Sequence, residues 1–169
     1  MRAESKQDAM SDELDQYATT EERLVETLHT LATQNDTPYV IVTASALEDL
    51  LAMVLCETTQ DSKLFGSRGR FSTFSAKIEI AYACKSIDGK LFNDINAIRN
   101  VRNAFAHARG PLQFGSSNPI LNEALKGFSG WTESSDQHVL FDERLNACIQ
   151  ALSSLVDSAI FIQAWSDAP

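Results

Sequence analysis

Three observations predict an all-α fold, an antiparallel bundle of five or six helices. Helix-capping signals recur along the chain, apolar residues return at spacings of three and four, and no stretch alternates with period two as a half-buried strand would. Its 169 residues suit a single domain with a sizeable core, expected over 19–169. Residues 1–18 are polar, hold several acids and lack an apolar period, so they read as a disordered or loosely ordered acidic tail.

The elements follow in order. Thr19 and Glu22 have the spacing of a capping box, in which each side chain satisfies the other's backbone amide, and a first helix is expected to about Thr33. Thr37-Pro38 repeats the signal as a cap followed by proline in the first turn. The second helix should run to about Cys56, with Val40, Ala44, Leu47, Leu51 and Val54 as its core stripe.

A glycine-bearing loop, Phe65 to Arg70, precedes Ser72 or Thr73, either of which can cap a third helix through Ser86. The loop lacks the Gly-x-x-x-x-Gly-Lys-Ser/Thr pattern of a P-loop, yet Arg68 and Arg70 beside the amides of a helix start form a candidate anion-binding loop; the alternative is an ordinary connector. A fourth helix is expected over about Lys90–Ala108, stopped by Gly110-Pro111. Leu112–Phe114 reads as extended, and Asn118-Pro119 opens a short helix to about Lys126. After a loop over Phe128–Ser135, Phe141, Leu145, Ile149, Leu152, Val156 and Ile160 mark a long final helix from about Asp136 to Trp165.

Composition narrows the function classes. No apolar run of signal-peptide type follows the start, and the most apolar stretch, Tyr39–Cys56, is interrupted by Thr43, Ser45, Glu48 and Asp49, so a soluble, cytoplasmic protein with no membrane span is expected. Cys56, Cys84 and Cys148 are widely separated and read as small core residues of a reduced protein, with no metal site and no cofactor expected. The net charge of -9 argues against a duplex-DNA binder, because such proteins draw affinity from neutralising phosphates. That average hides an asymmetry: 63–109 carries nine Lys or Arg against three acids, hence +6, and leaves -15 elsewhere. A basic middle in an acidic chain points to an anionic ligand there, or to self-association of unlike faces, or to a plain solvated surface.

The candidate site lies on the fourth helix, in Arg102-Asn103-Ala104-Phe105-Ala106-His107. Arginine grips phosphate or carboxylate with a fork of donors, and histidine titrates near neutrality, so the pair can perform phosphate chemistry. At about 100° per residue, Leu91, Ile95, Ile98 and Phe105 fall within about 60° of Arg102, which places the arginine in the apolar face. Arg99, Asn96, Asn100, Asn103 and His107 share a polar arc without an acid. Asparagines are mediocre helix formers, so their number here suggests use rather than stability. The structural alternative pairs Arg102 with Glu48 or Asp49 and leaves His107 to cap the last turn, and in either case an acid is expected near Arg102.

The stretches Phe71-Ser72-Thr73-Phe74-Ser75-Ala76-Lys77-Ile78, Ile80-Ala81-Tyr82-Ala83 and Ile98–His107 resemble the mannitol operon repressor (MltR) family, with Leu47–Leu51 and Leu112-Gln113-Phe114 fitting the same pattern over about 37–125. The Cys84-Lys85-Ser86 ending departs from it, as does the acidic tail. The resemblance implies a cytoplasmic transcriptional regulator without its own DNA-binding module, acting through a protein partner, with direct sequence-specific DNA binding not expected. Arg-x-x-x-x-His also links the chain to the wider HEPN superfamily of helical bundles. In its RNase members the matching residues would be Arg102, Asn103 and His107, acting on RNA without a metal, in a homodimer that brings two motifs together. The third possibility is a non-catalytic helical interaction domain.

Overall fold

The computed structural model describes residues 36–166, with side chains described as far as Asp157. The expected tail over 1–18 and helix over 19–33 lie outside the described residues. Five α-helices follow in order: α1 (Asp36–Thr59), α2 (Phe74–Ala83), α3 (Gly89–Ala106), α4 (Pro119–Leu125) and α5 (Gln137–Ser166), with a 3-10 turn at Ser62–Leu64. Among the described residues there is no strand.

Local chemistry sets the helix starts. Thr73 accepts from the Ala76 amide at 3.2 Å, which selects it over Ser72 as the cap of α2. Asp88 does the same for α3 through Leu91, at 2.8 Å. Asn118 accepts from Ile120 and Leu121, and Pro119 follows it where a missing N–H costs nothing. Asp136 accepts from the amides of His138 and Val139, both at 3.0 Å. Helix α1 already includes Asp36 and Thr37, so Thr37 lies within the helix rather than before it. The Asp36 carboxylate instead accepts from the Phe114 amide at 2.7 Å, which ties the loop after α3 to the start of α1.

The core forms along the expected stripes. Val40, Ala44, Leu47, Leu51 and Val54 of α1 are buried, as are Phe141, Leu145, Leu152 and Val156 of α5. Each large aliphatic or aromatic side chain so buried is worth roughly 1.5–3 kcal/mol relative to exposure. Helix α1 packs against α2, α3 and α5, and α4 packs on α3. Tyr39, near the start of α1, meets His138 and Phe141 near the start of α5, and Thr58 at the far end of α1 reaches Ser86. Phe105, near the end of α3, packs on Phe114 at the end where α1 and α5 begin, so α3 runs against both. By length and composition alone α1 is apolar enough to cross a membrane. One of its faces is core, and Glu48 on it is bound to Lys77.

Two expectations change here. Of the three cysteines only Cys148 is fully buried; Cys56 is half-buried, and Cys84, the cap residue just after α2, is exposed. No acid pairs with Arg102 among the described residues: Glu48 is bonded to Lys77, 2.6 Å away, and Asp49 is exposed and joins no ion pair there.

Candidate functional site

Helix α3 ends where its backbone reaches His107, whose N–H donates to the Asn103 carbonyl at 3.0 Å. Its buried side is made of Asp94, Ile95, Ala97, Ile98, Val101, Ala104 and Phe105. Arg102 is half-buried at the margin of that side rather than within it, while His107 is exposed. The buried arc is centred nearer Val101 than Arg102.

The asparagines have definite work. Arg102 Nη1 donates to Asn103 Oδ1 at 3.2 Å, and Arg99 Nη2 donates to Asn100 Oδ1 at 3.0 Å. Asn96 turns inward along its own helix, donating to the Phe92 carbonyl at 3.1 Å. Arg99 Nε is buried without a hydrogen-bond partner, and neither Arg99 nor Arg102 joins an ion pair among the described residues. A neutral amide orients a guanidinium without cancelling its charge, so both arginines remain able to attract an anion.

Between the end of α3 and the start of α4 lies an open groove of about 880 Å³. Asn100, Asn103, His107 and Arg109 form one wall, and Ile120 and Glu123 stand on the other. The structure thus brings Asn100, Asn103 and His107 to one hollow. It does not bring Arg99, Arg102 or Asn96 to it, and Arg102 reaches the groove only through Asn103. Arg109, Ile120 and Glu123 were not singled out by the sequence. The Asn118-Pro119 start signal placed α4 correctly, but nothing local to it says that α4 packs across α3. Glu123 is an acid in this otherwise acid-free neighbourhood, and Lys126 holds it at 2.8 Å.

Arg68 and Arg70 are exposed on their loop, away from the groove. The amides of Gly69 and Phe71 already donate to the carbonyls of Gly66 and Leu64, and the Ala76 amide is taken by Thr73. A Cβ on Gly69 would lie 2.2 Å from the Leu64 carbonyl oxygen, so this tight turn admits only glycine. These contacts build a compact connector.

A polar network that the sequence did not flag sits on the other side of α3. Asp94, only 3% exposed, accepts from both the amide and the hydroxyl of Ser129 at 2.8 Å, and Arg144 donates to that same hydroxyl at 3.1 Å. Four positions from the nearest basic residue, Asp94 gives no local sign of burial. Among the described residues no three His, Cys, Asp or Glu side chains gather as metal ligands. No family model matches the chain, and neither a curated protein nor a solved structure matches it.

Proposed function

We propose that the chain is an MltR-like cytoplasmic regulator without a DNA-reading module of its own, homodimeric, and acting through a protein partner that contacts the polar face of α3. One observation carries this reading. Arg99 and Arg102 are oriented by Asn100 and Asn103 and have no carboxylate among the described residues, leaving uncompensated positive charge beside an open groove in a chain of net charge -9. Such a face complements an acidic protein surface, and charge complementarity governs register and encounter rate. The rest of the acidic surface disfavours duplex DNA.

The test uses a strain lacking this gene and a reporter for its sugar-alcohol uptake operon. The parent chain should restore regulation, and a folded R99E/R102E variant should not. Full restoration by that variant, or nanomolar sequence-specific binding of the pure protein to operator DNA at moderate salt, would remove the proposal.

A second reading, an HEPN-type metal-independent RNase, is favoured by the exposed His107 on the same groove as Asn103. In that chemistry the ribose 2′-oxygen bonds to the adjacent phosphorus as its proton is removed, and the bond from phosphorus to the 5′-oxygen breaks, leaving a 2′,3′-cyclic phosphate and a 5′-hydroxyl; His107 takes the first proton or supplies the second, and water exchanges the other. Arg102 offsets charge on the pentavalent phosphate, and Asn103 orients it. RNA cleavage that His107→Ala abolishes would establish this reading over an inert helical module.

A further inference from the structure

The described chain begins beside the groove at the end of α3. Asp36, the first described residue, accepts from the Phe114 amide at 2.7 Å, and Phe114 stands in the loop between Arg109 and Asn118, both of which line the groove. Phe114 is four residues from Asn118, a span of at most about 14 Å. The 35 residues before Asp36 therefore join the domain next to this hollow.

The polar wall of the groove is made of donors. Asn100 and Asn103 each turn Oδ1 to a guanidinium, which can only donate, and Asn118 turns Oδ1 to the amides of Ile120 and Leu121. Those partners fix which end of each side chain is oxygen, and they leave three Nδ2 groups without a hydrogen-bond partner among the described residues. Arg109 adds a guanidinium that joins no ion pair there, and Glu123, the acid on the opposite wall, is held by Lys126. Arg109 and Lys126 less Glu123 leave +1, and Arg99 and Arg102 stand directly behind Asn100 and Asn103. Ile120, 68% exposed, supplies an apolar patch. A matching occupant brings acceptors, negative charge and an apolar side chain.

The chain itself holds such a segment. Residues 7–22 contain six acids and no Lys or Arg, and Leu14 lies among Asp8, Asp12, Glu13 and Asp15. We propose that Asp8–Asp15 docks on this groove of its own chain, its carboxylates accepting from Asn100, Asn103 and Arg109 while Leu14 covers Ile120. The stretch from Asp15 to Asp36 spans up to about 70 Å, ample for the distance. Tethered at an effective concentration of about 1 mM, a segment whose free form binds with a Kd of about 0.1 mM fills about nine grooves in ten. The docked tail keeps other acidic surfaces off this end of α3 until they displace it. The contact needs only the one chain and does not rest on the function proposed above.

The experiment titrates a synthetic peptide of residues 7–22 into two full chains, the parent and a D8N/D12N/E13Q/D15N variant whose tail is neutralised. The peptide should bind the neutralised chain, and bind the parent about tenfold more weakly because the parent's own tail competes. Adding N100D/N103D to the neutralised chain turns donors into carboxylates and should weaken the peptide at least tenfold with the melting temperature kept. R109E in the same chain, a change at an exposed position, should do likewise, and it decides the matter if N100D/N103D fails to fold. No binding to the neutralised chain, equal binding to both chains, or unchanged affinity in the folded groove variants would overturn the proposal. So would a difference between the two chains that grows with protein concentration, which would put the tail of a second copy in the groove.

Discussion

Lys77 Nζ lies 2.6 Å from Glu48 Oε1, joining α2 to α1 by an ion pair whose side chains are only 7% and 21% exposed. This pair takes one of the two carboxylates, Glu48 and Asp49, that the sequence offered to Arg102, and no carboxylate pairs with Arg99 or Arg102 among the described residues.

Removing one partner of such a pair leaves the other charge poorly solvated, so Lys77→Met should destabilise the fold by about 3 kcal/mol, the low end for a buried pair because Glu48 is partly exposed. A double K77M/E48L variant should recover most of the loss, since two apolar side chains need no compensation. Urea denaturation of the three proteins measures both. A single variant as stable as the parent would show that the pair contributes nothing.

The end of α2 makes an opposite prediction. Ser86 donates to the Ala81 carbonyl at 2.9 Å and Lys85 to the Tyr82 carbonyl at 3.0 Å, the bond pattern of a Schellman turn, with lysine where glycine is favoured. Lys85→Gly should raise stability by about 1 kcal/mol through relief of the left-handed strain. The midpoint of denaturant unfolding should move up with its slope unchanged.

Burial pushes the Cys148 thiol up to about 12 from its ordinary 9.0, with nearby Asp94 adding to the effect. The folded state therefore holds this proton more tightly than the unfolded state. Its contribution to stability is full below about pH 9 and is lost as pH rises towards 12. Unfolding midpoints should fall over that window, and less so in Cys148→Ala once its own loss of packing is subtracted. With a thiol-reactive dye at pH 8, exposed Cys84 should label first and Cys148 only on unfolding.

His107 forms no side-chain hydrogen bond or ion pair with the described residues, so His107→Ala should shift stability by no more than about 0.5 kcal/mol. If the RNase reading holds, the same change lowers cleavage by about 10² to 10⁴. Thermal unfolding run beside an RNA cleavage assay separates the two roles. A large loss of stability would assign His107 to the fold.

Much of the fold was legible because its signals are short-ranged. Thr73 and Asn118 each cap an amide two or three residues away, and the stripes on α1 and α5 follow from helical periodicity alone. Arg102, Asn103 and His107 could be placed on one helix for the same reason. That Asn103, His107 and Ile120 share a groove could not be read, since it depends on α4 crossing α3.

What the sequence determined by itself is the helical class, the caps at Thr73 and Asn118 and the stripes that α1 and α5 turn inward, because propensity, capping and apolar periodicity act over a few residues. Only the tertiary structure decided which acid meets which cation, that Asp94 is buried against Ser129, that Arg102 stands at the margin of its helix's apolar side, and where hollows open along α3. Those outcomes depend on groups distant in sequence that packing brings within a few ångströms, and no local pattern encodes them.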